Sequence, residues 1–322
     1  MSLKCRREEF EKVNSKKKGA ILTFNGVDGY DVYNCSIPFD YKGSRYMYGR
    51  VEKREQWARS RTMLFEQTNP DEWSRVVGVE YQIEDPNITV IGREIVLNGT
   101  FALYRGGKLD GIYALFYRGT DVNDLCYFTT GPYNMKDIRL VQLSDGRIGV
   151  FSRPRNKEII KKFGSESQIG FAIINNLDEL TDTEIANAPY IPNLFKDGEW
   201  GGCNQVYLLD SGYIGIIGHK SYRSEAKDGL TFSTYLNIAF VFDPEKFIII
   251  DEKIIATSCS YPEFSAKLPY LKDCAFTSGI IMRHDGKADL YSGLGDCAEG
   301  RIAIDYPFEG YGEIVPYNNI GY

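Results

Sequence analysis

Short runs of β-favouring residues separated by turn residues dominate this chain, and long helical periodicity is missing. The runs begin at Ala20 and include AILTF, RYMYGRVE, RTMLFE, NITVIG, IYALFY, RIGVF, YIGIIG, IAFVF and FIIID. Two segments with helical character, KEIIKKF and TDTEIANA, are brief and are interpreted as loop insertions. This pattern predicts a nearly all-β fold.

A turn of the Asp-Gly type recurs along the chain, each time before a strand-like run. The turns are Asp28-Gly29, Asp110-Gly111, Asp145-Gly146, Asp210-Ser211-Gly212 and Asp285-Gly286. Such dipeptides supply the positive-φ positions of tight hairpins. The four intervals average about 64 residues, which is near the length of a four-stranded propeller blade with long loops. We therefore predict a single five-bladed β-propeller over residues 19–322. A two-domain sandwich is the alternative, because the intervals are unequal.

Three basic residues stand at the same distance after three of these turns. Arg118, Arg153 and His219 each lie seven positions after the turn glycine. Equal offsets place residues at the same end of equivalent strands, so the pattern favours convergence at one mouth of the propeller channel. The alternative is an exposed strand end. For Arg118 pairing with an acidic residue is the preferred interpretation, because exposed ion pairs are common in an acidic protein.

Residues 1–18 differ from the rest of the chain. Residues 4–18 can form a short charged helix that ends before Gly19, and we interpret it as a surface appendage. The segment lacks the apolar core of a signal peptide, and no apolar run approaches the roughly 18 residues of a membrane span. These features predict a cytoplasmic protein without a membrane partner.

Charge and cysteine content limit the possible partners. A net charge of −6, with no long basic run after residue 18, argues against nucleic acid as a main partner. The seven cysteines are odd in number and lack a CxxC pair, which indicates reduced thiols. With only His219 and His284 available, a histidine metal cluster is not expected, and we predict no metal and no cofactor.

One stretch, IEDPNITVIGR at residues 83–93, stands out as a candidate site. Pro86 disfavours helix at Asp85, and the β-branched residues after it favour a strand, so Asp85 is expected at a strand entrance. A carboxyl group held there could act as a catalytic acid. The alternative is a turn-forming Asp-Pro with solvated charges. Glu84 is adjacent, but neighbours on an extended backbone face opposite ways, so no coupled carboxyl pair is expected.

Several motifs, taken in order, resemble glycoside hydrolase family 130. They are YDVYNCSIPF with Asn34, YGRVE with Arg50, IEDPNIT with Asp85, KDIRLVQLSDGRIGVFSRP with Lys136, Asp137 and Arg153, and YSGLGD with Asp296. The segments GRVEKR, WGGCNQ and IGHKSY are more similar to a related branch, domain of unknown function 1861, and to the mannosyltransferase-phosphorylases of glycosyltransferase family 108. The similarity spans roughly residues 20–305, and the order of the motifs is its specific part.

The resemblance implies five-bladed propeller enzymes, mostly β-mannoside phosphorylases, and a role for each matching residue. Asp85 would be the proton donor. Phosphate, a co-substrate, would be bound by Arg50, Lys136, Arg153, His219 and Tyr235. Substrate would be bound by Asn34, Asp137, Asn204 and Asp296. Three departures from the family pattern occur: Glu199 or Trp200 replaces a lysine before Gly201-Gly202, Asn87 replaces an arginine, and Asp137 adds a carboxylate beside the phosphate position.

The chemistry of glycosidic cleavage connects these residues. A phosphorylase can work with one carboxylic acid and a basic pocket, since phosphate is already nucleophilic and must mainly be aligned. For Asp85 to donate a proton near neutral pH, its pKa must be raised, or the proton must arrive through a sugar hydroxyl. Aromatic residues such as Tyr104, Tyr117, Trp200 and Tyr222 are candidate sugar platforms.

The sequence therefore predicts an inverting transferase that moves mannosyl groups between a β-linked mannoside and phosphate, without metal. A hydrolase is one alternative, and its base would come from Glu52, Asp137, Glu199 or Asp273. Transfer from a nucleotide sugar is another, although no nucleotide motif is present. A third is a non-catalytic carbohydrate-binding propeller. A homo-oligomer is left open.

Overall fold

The computed structural model describes residues 1–14, 16–225 and 229–316, and its strands form the five sheets of a five-bladed β-propeller. Strand β1 (Gly19–Ile21) belongs to the last sheet. Blade 1 contains β2 (Thr23–Asn25), β3 (Asp31–Tyr33), β4 (Phe39–Tyr41), β5 (Ser44–Glu52), β6 (Arg61–Asn69) and β7 (Glu72–Tyr81). Blade 2 contains β8 (Glu84–Ile91), β9 (Glu94–Arg105), β10 (Lys108–Gly119) and β11 (Cys126–Thr130).

The other three blades follow in chain order. Blade 3 contains β12 (Arg139–Gln142), β13 (Ile148–Ser152) and β14 (Gly170–Ile174). Blade 4 contains β15 (Trp200–Leu208), β16 (Ile214–Glu225), β17 (Thr231–Asp243) and β18 (Ile248–Ala256). Blade 5 contains β19 (Ala275–Met282), β20 (Ala288–Leu294) and β21 (Ala298–Ile304), and β1 pairs antiparallel with β21 at its outer edge. A strand from the start of the chain thus completes the last blade.

The first strands of blades 2, 4 and 5 contact one another directly at the centre of the propeller. The Asn87 side chain of β8 donates to the Asn204 carbonyl oxygen of β15 at 3.0 Å, and Tyr207 of β15 donates to the Ile280 carbonyl oxygen of β19 at 3.0 Å. Every residue of β15 is buried. These strands form a rigid wall on which side chains can be held still.

The described residues include three α-helices, which lie outside the blade strands. They are α1 (Leu3–Val13), α2 (Lys157–Phe163) and α3 (Asp182–Asn187), and short 3-10 turns cover Leu177–Glu179, Ser258–Ser260 and Pro269–Leu271. The two brief helices predicted from KEIIKKF and TDTEIANA are confirmed as loop insertions on blade 3. In α1, Leu3 packs into the core of blades 3 and 4, and Arg7 bonds Asp273 at 3.1 Å, so this helix lies against the propeller. None of the helices in residues 1–14, 16–225 and 229–316 could span a lipid bilayer.

The hairpins predicted from the Asp-Gly turns are confirmed at three positions and wrong at two. Gly146, Gly212 and Gly286 have positive φ and lie between the first and second strands of blades 3, 4 and 5. Gly29 precedes β3 but joins two strands that are not paired with each other. Gly111 lies within β10 at a register shift, and the β9–β10 turn uses Gly106 and Gly107 instead.

This difference decides where the three equally spaced basic residues lie. Arg153 and His219 follow a turn between first and second strands, whereas Arg118 ends β10, the third strand of its blade. Arg118 contacts Glu94 at 3.6 Å and Asp178 at 3.0 Å on the blade's outer part. The convergence prediction therefore holds for Arg153 and His219 and is wrong for Arg118, which pairs with acidic residues as its alternative interpretation expected.

Candidate active site

All five blades contribute to a cavity of about 300 Å³ that contains most of the predicted site residues. Its walls include Asn34, Arg50, Trp57, Ala58, Glu84, Asp85, Lys136, Arg153, Arg155, His219, Ser233, Tyr235, Tyr270, Leu271, Cys274, Phe276 and Asp296. Asp85 and Arg153 thus face the same enclosed space. Asp137 and Asn204, which were expected to bind substrate, do not line it.

Asp85 is the most heavily bonded carboxylate of this cavity. Its Oδ1 accepts from Asn34 Nδ2 at 2.8 Å and from Arg50 Nη1 at 2.9 Å, and its Oδ2 accepts from Lys136 Nζ at 3.1 Å. The side chain is 3% exposed. Burial alone would raise the pKa of Asp85, but Lys136 and Arg50 outweigh it and hold the pKa well below its usual range. These two cations therefore keep Asp85 in its ionised form.

Glu84 faces the same cavity as Asp85, because the backbone leaves the extended form between them. Asp85 has φ 51°, and the register of β8 against β9 shifts between Glu84 and Asn87. The expectation that these neighbours face opposite ways is wrong, since it assumed regular pleating. Glu84 Oε2 lies 3.2 Å from Arg50 Nη1, the same nitrogen that bonds Asp85. We call Arg50, Glu84 and Asp85 the acid wall.

The pKa values of Glu84 and Asp85, the two carboxyl groups of the acid wall, shift in opposite directions. Burial raises the pKa of Glu84; Arg50 opposes the rise, Asp85 adds to it, and the net direction is upward. The pKa of Asp85 moves the other way because it holds more of the cationic contacts. The pair thus combines one carboxyl that keeps its charge with one that tends to bind a proton.

Left-handed backbone recurs at the polar residues of this site. Asn34, Asp85, Asp137 and Asp296 have φ values of 47°, 51°, 56° and 55°. Non-glycine residues in this region cost of order 1–3 kcal/mol each and persist where the surrounding structure holds them. Asn and Asp tolerate the conformation best. These residues are therefore placed by the blades in a local geometry that their own preferences do not select.

Arg50 is fixed from behind by a second layer of polar groups. Its Nε donates to Ser60 Oγ at 2.7 Å, and its guanidinium lies 4.8 Å from the centre of the Tyr33 ring. Glu52 accepts from Tyr33 at 2.6 Å and from Ser60 at 3.0 Å, and it also binds Lys267. Glu52 therefore supports Arg50 and does not line the cavity.

Arg153 is held on the opposite side of the cavity. Its Nε donates to the Gly201 carbonyl oxygen at 2.6 Å, and its Nη1 bonds Asp137 Oδ2. Arg139 Nη2 lies 3.7 Å from the other Asp137 oxygen. The carboxylate of Asp137 is thus neutralised by two arginines, and Arg153 stands between it and the cavity. Asp137 orients Arg153 and leaves one edge of its guanidinium for a ligand.

His219 and Tyr235 complete this side, and with Arg153 we call them the arginine wall. His219 Nδ1 lies 2.7 Å from Asn204 Oδ1, while Nε2 is buried with no hydrogen-bond partner among the described residues. Burial and Arg153 lower the pKa of His219 well below its ordinary value, so the ring is neutral. Tyr235 packs 5.5 Å from the His219 ring. Asn204 therefore positions His219, whose free nitrogen is available to a ligand.

Asp296 and Lys136 lie between the two walls. Asp296 lines the cavity and makes no hydrogen bond or ion pair within the described residues, and burial raises its pKa. Lys136 has a side chain that is 28% exposed and bonds only Asp85 among them. Both groups are free to take new partners when a ligand enters.

The structure adds residues to the site that the sequence interpretation missed. Arg155 brings a further cation to the cavity beside Trp200, 5.8 Å from its ring. Its position two residues after Arg153, in the segment RPR, was the available signal. Trp57 and Tyr270 lie at the mouth, 54% and 37% exposed.

The aromatic residues that were proposed as sugar platforms lie elsewhere. Tyr104, Tyr117, Trp200 and Tyr222 do not line the cavity. Tyr104 instead donates to the Trp57 carbonyl oxygen at 3.1 Å and supports the loop that carries Trp57.

The departures from the family pattern have structural explanations at two positions. Asn87 turns away from the cavity and bonds Asn204 and Gln205 on the central strand β15. Glu199 accepts from the Lys196 backbone at 3.1 Å, and Trp200 is 1% exposed beneath Arg155 and Arg223. Neither Glu199 nor Trp200 places a charge in the cavity.

Comparisons with known proteins agree with this geometry. The model of a family described as "Protein of unknown function (DUF1861)" matches residues 8–310. A mannose phosphorylase from Leishmania mexicana, MPT-4, solved in complex with a phosphate ion, is 48% identical, with a TM-score of 0.93 over 99% of this chain and 97% of that one. MPT-1 from the same organism, a GDP-Man-dependent mannosyltransferase, is 42% identical, with a TM-score of 0.92 over 100% of both chains.

A more distant likeness concerns the fold alone. A glycosyl hydrolase from Bacteroides ovatus is 13% identical, with a TM-score of 0.59 over 94% of this chain and 100% of that one. No curated protein sequence matches this chain.

Proposed function

This chain belongs to the DUF1861 family and is an enzyme, and from that premise we propose that it transfers mannosyl groups between a β-linked mannoside and inorganic phosphate. One observation carries the proposal: Asp85, which is bonded to Arg50 and Lys136, lines the same cavity as Arg153. That cavity contains four cationic side chains beside the carboxyl groups of Glu84, Asp85 and Asp296. The likeness to a mannose phosphorylase crystallised with phosphate supports the choice of substrates.

The cations of the cavity suit a phosphate dianion. Arg153 offers a guanidinium edge. Lys136 is bonded only to Asp85 among the described residues and can exchange that partner for phosphate. Arg155, which also pairs with Glu166, adds a further cation. Arginine binds two phosphate oxygens at once through its planar fork. His219 Nδ1 donates to Asn204 Oδ1, so the neutral ring presents Nε2 as an acceptor, which could accept from the hydroxyl of HPO₄²⁻. These groups would align phosphate and strip its water, which is most of what its attack on the anomeric carbon requires.

Asp85 is the proposed general acid. Lys136 and Arg50 keep it ionised, but a phosphate dianion would compete for these two cations. Loss of their contacts would raise the affinity of Asp85 for a proton. A group positioned in this way typically contributes a rate factor of about 10² to 10⁴. Phosphate would attack from the face opposite the leaving sugar, so the product would be α-mannose 1-phosphate, with inversion.

Two further residues would bind the mannosyl ring. Asp296 has unbonded carboxylate oxygens in the cavity, which can accept from sugar hydroxyls. Asn34 donates to Asp85 and lies in the same wall, where its amide can also reach substrate. No metal takes part in this proposal, and the cytoplasmic location expected from the sequence is retained as part of it.

The hydrolase alternative is less well supported by the geometry. None of the four carboxylates considered as its base, Glu52, Asp137, Glu199 and Asp273, lines the cavity. Glu52, Asp137 and Asp273 are ion-paired, to Lys267, Arg153 and Arg7. A water-activating base needs an unengaged oxygen beside the anomeric carbon, which none of these four residues offers. Glu84 and Asp296 do have such oxygens in the cavity, so the phosphate dependence of sugar release decides between the two reactions. Phosphate needs no such base.

Transfer from a nucleotide sugar is the second candidate, because the similarity to a GDP-Man-dependent mannosyltransferase is nearly as high as to the phosphorylase. In the direction of synthesis, both reactions transfer a mannosyl group to a sugar acceptor. The leaving group is phosphate in one reaction and GDP in the other. The same cationic cavity would bind a diphosphate in place of phosphate.

The test is to incubate the protein with α-mannose 1-phosphate or GDP-mannose, each with a panel of mannose and glucosamine acceptors, and to measure released phosphate and GDP. Phosphate release with an acceptor, and its reversal when β-mannobioses are incubated with phosphate, is the expected result. Sugar release that does not depend on phosphate would establish hydrolysis, and GDP release alone would establish nucleotide-sugar transfer. The Arg118→Ala variant, which removes an arginine outside the cavity, should give the same result as the wild type.

A further inference from the structure

Glu84 has an unexplained environment. Its Oε1 is buried without a hydrogen-bond partner among the described residues, although its Oε2 lies 3.2 Å from Arg50 Nη1. A buried carboxylate oxygen left unpaired is costly, whereas a protonated carboxyl with a ligand to donate to is not. Asp85, by contrast, has both oxygens occupied by Asn34, Arg50 and Lys136. The unpaired oxygen and the raised pKa of Glu84 together favour the proton on Glu84 over the proton on Asp85.

Glu84 also contacts a second, smaller space behind the acid wall. A side cavity of about 180 Å³ is lined by Ala58, Arg59, Ser60, Arg61, Gln82, Glu84, Thr100, Phe101, Ala102 and Tyr104. The Arg61 side chain is 54% exposed, so this space reaches solvent. Asp85 does not line it. Glu84 thus lies between the side cavity, which opens to solvent, and the substrate cavity.

We propose that Glu84 is the proton reservoir of this site: it carries the proton into each cycle, and Asp85 passes it to the departing sugar oxygen once phosphate has engaged Lys136 and Arg50. This inference rests on the proposed function. It assigns Glu84 a role that acts through Asp85 and that a single general acid would leave without explanation.

The proton balance of phosphorolysis closes within this pair. Phosphate enters as HPO₄²⁻, its oxygen bonds the anomeric carbon, and the glycosidic C–O bond breaks. The leaving oxygen takes the proton of the pair and becomes a sugar hydroxyl. The mannose 1-phosphate formed still carries the proton that phosphate brought, and this proton reloads the pair directly or through water in the side cavity. No oxidant, reductant or further reactant is needed.

The charges around Glu84 favour this exchange. From the substrate cavity Arg50 and Lys136 face it as cations and Asp85 as an anion, while Glu52 lies behind Arg50. From the side cavity Arg59 and Arg61 face it. When phosphate neutralises Arg50 and Lys136, the negative charge of Asp85 is no longer balanced, and one proton shared by the two carboxyls is the stable state.

The experiment compares two leaving groups in Glu84→Gln, with Glu84→Asp as the conservative variant. A β-mannobiose needs a proton on its leaving oxygen, whereas 2,4-dinitrophenyl β-mannoside does not, because its phenolate is stable. We expect Glu84→Gln to phosphorolyse the mannobiose about 10²-fold more slowly and the dinitrophenyl substrate within about threefold of the wild-type rate. Glu84→Asp should restore part of the mannobiose rate.

A pH profile separates a proton role from a packing role. In Glu84→Gln the alkaline limb of kcat for the mannobiose should move to lower pH, since Asp85 alone must then hold the proton among cations. The matched control is Glu72→Gln, which removes an exposed carboxylate at the start of β7 and should change neither substrate's rate.

If Glu84→Gln lowers the phosphorolysis rates of both substrates equally, or lowers neither rate, Glu84 is not the proton reservoir. An unshifted alkaline limb would do the same. Failure of the proposed function is distinguishable, because it would be seen in wild-type protein as no mannose 1-phosphate from either substrate, and that result overturns both proposals. Folding of each variant is checked by its thermal unfolding. If Glu84→Gln does not fold, the two leaving groups are compared in Glu84→Asp: a rate loss confined to the mannobiose supports the reservoir, and an equal loss for both substrates overturns it.

Discussion

The acid wall and the arginine wall contain the same kinds of group in opposite order. In the acid wall, Asp85 and Glu84 face the cavity and share Arg50 between them. In the arginine wall, Arg153 faces the cavity and the carboxylate of Asp137 lies behind it. Which member of an ion pair is in front decides what a wall can do. A carboxylate in front can move a proton, and a guanidinium in front can hold an anion.

Neutralising the front carboxylate should have the largest effect. Asp85→Asn is expected to reduce kcat for mannobiose phosphorolysis about 10³-fold. Phosphate affinity should be kept or increased, because Lys136 and Arg50 lose a competing anion. Initial rates and phosphate binding by calorimetry measure the two quantities. A variant with normal turnover would remove the distinction between the walls.

Changing the front cation should affect phosphate and spare the acid. Arg153→Lys keeps the charge over Asp137 but loses the planar fork, and a charge-assisted hydrogen bond is worth about 1.5–3 kcal/mol. We expect the KM for phosphate to rise about 10- to 100-fold, while the KM for the mannoside stays within about twofold. Arg118→Lys, which changes an arginine outside the cavity, is the control. A rise in the mannoside KM alone would contradict the assignment.

The contribution of the buried carboxyl group of Glu299 to the free energy of unfolding should depend on pH. Glu299 accepts from the Cys35 backbone at 3.1 Å, next to Asn34, and burial raises the pKa of Glu299 to about 7. The folded state then binds this proton more tightly than the unfolded state, so the contribution is full below about pH 4.3 and falls as pH rises through 7.

Removing that titration gives a measurable difference. Between pH 5 and pH 7 the wild type should lose about 2 kcal/mol of unfolding free energy from this group, and Glu299→Gln should not show this loss. Denaturant unfolding at both pH values measures it. Parallel pH curves for the two proteins would show that the support is not a titrating carboxyl.

A substitution at the mouth of the cavity should have the smallest effect on the kinetics. The mouth residue Trp57 belongs to neither wall. Trp57 is exposed there, with Lys267 Nζ 5.2 Å from its ring. Aromatic contacts of this kind are worth about 0.5–1.5 kcal/mol, so Trp57→Ala should raise the mannoside KM about two- to tenfold. The phosphate KM should not change. Tyr127→Ala, which removes an exposed aromatic far from the mouth, is the control; a shift in phosphate KM would place Trp57 in the arginine wall's function.

The sequence interpretation succeeded where the signal was local. The β runs and several glycine turns predicted the propeller, and the order of motifs placed Asp85, Arg50 and Arg153 together. It failed at Gly111, since an Asp-Gly pair inside a strand reads like one in a turn. The same misreading placed Arg118 with Arg153, although the two lie on different strands of their blades.

Other features had no sequence signal at all. The turn of Glu84 into the cavity depends on the left-handed backbone of Asp85, which the neighbouring strand β9 imposes through its shifted register. Trp57 and Tyr270 come together only because blades 1 and 5 meet.

By itself the sequence determined that this chain is built of hairpins, because turn residues and β-branched runs act over a few positions of the backbone. It also determined which ionisable groups exist. Only the tertiary structure decided which of them is charged, which is protonated and which faces the cavity. Desolvation and Coulomb energies depend on burial and on distances between groups such as Arg50, Asp85 and Lys136, which lie far apart in the chain and meet only in the folded blades.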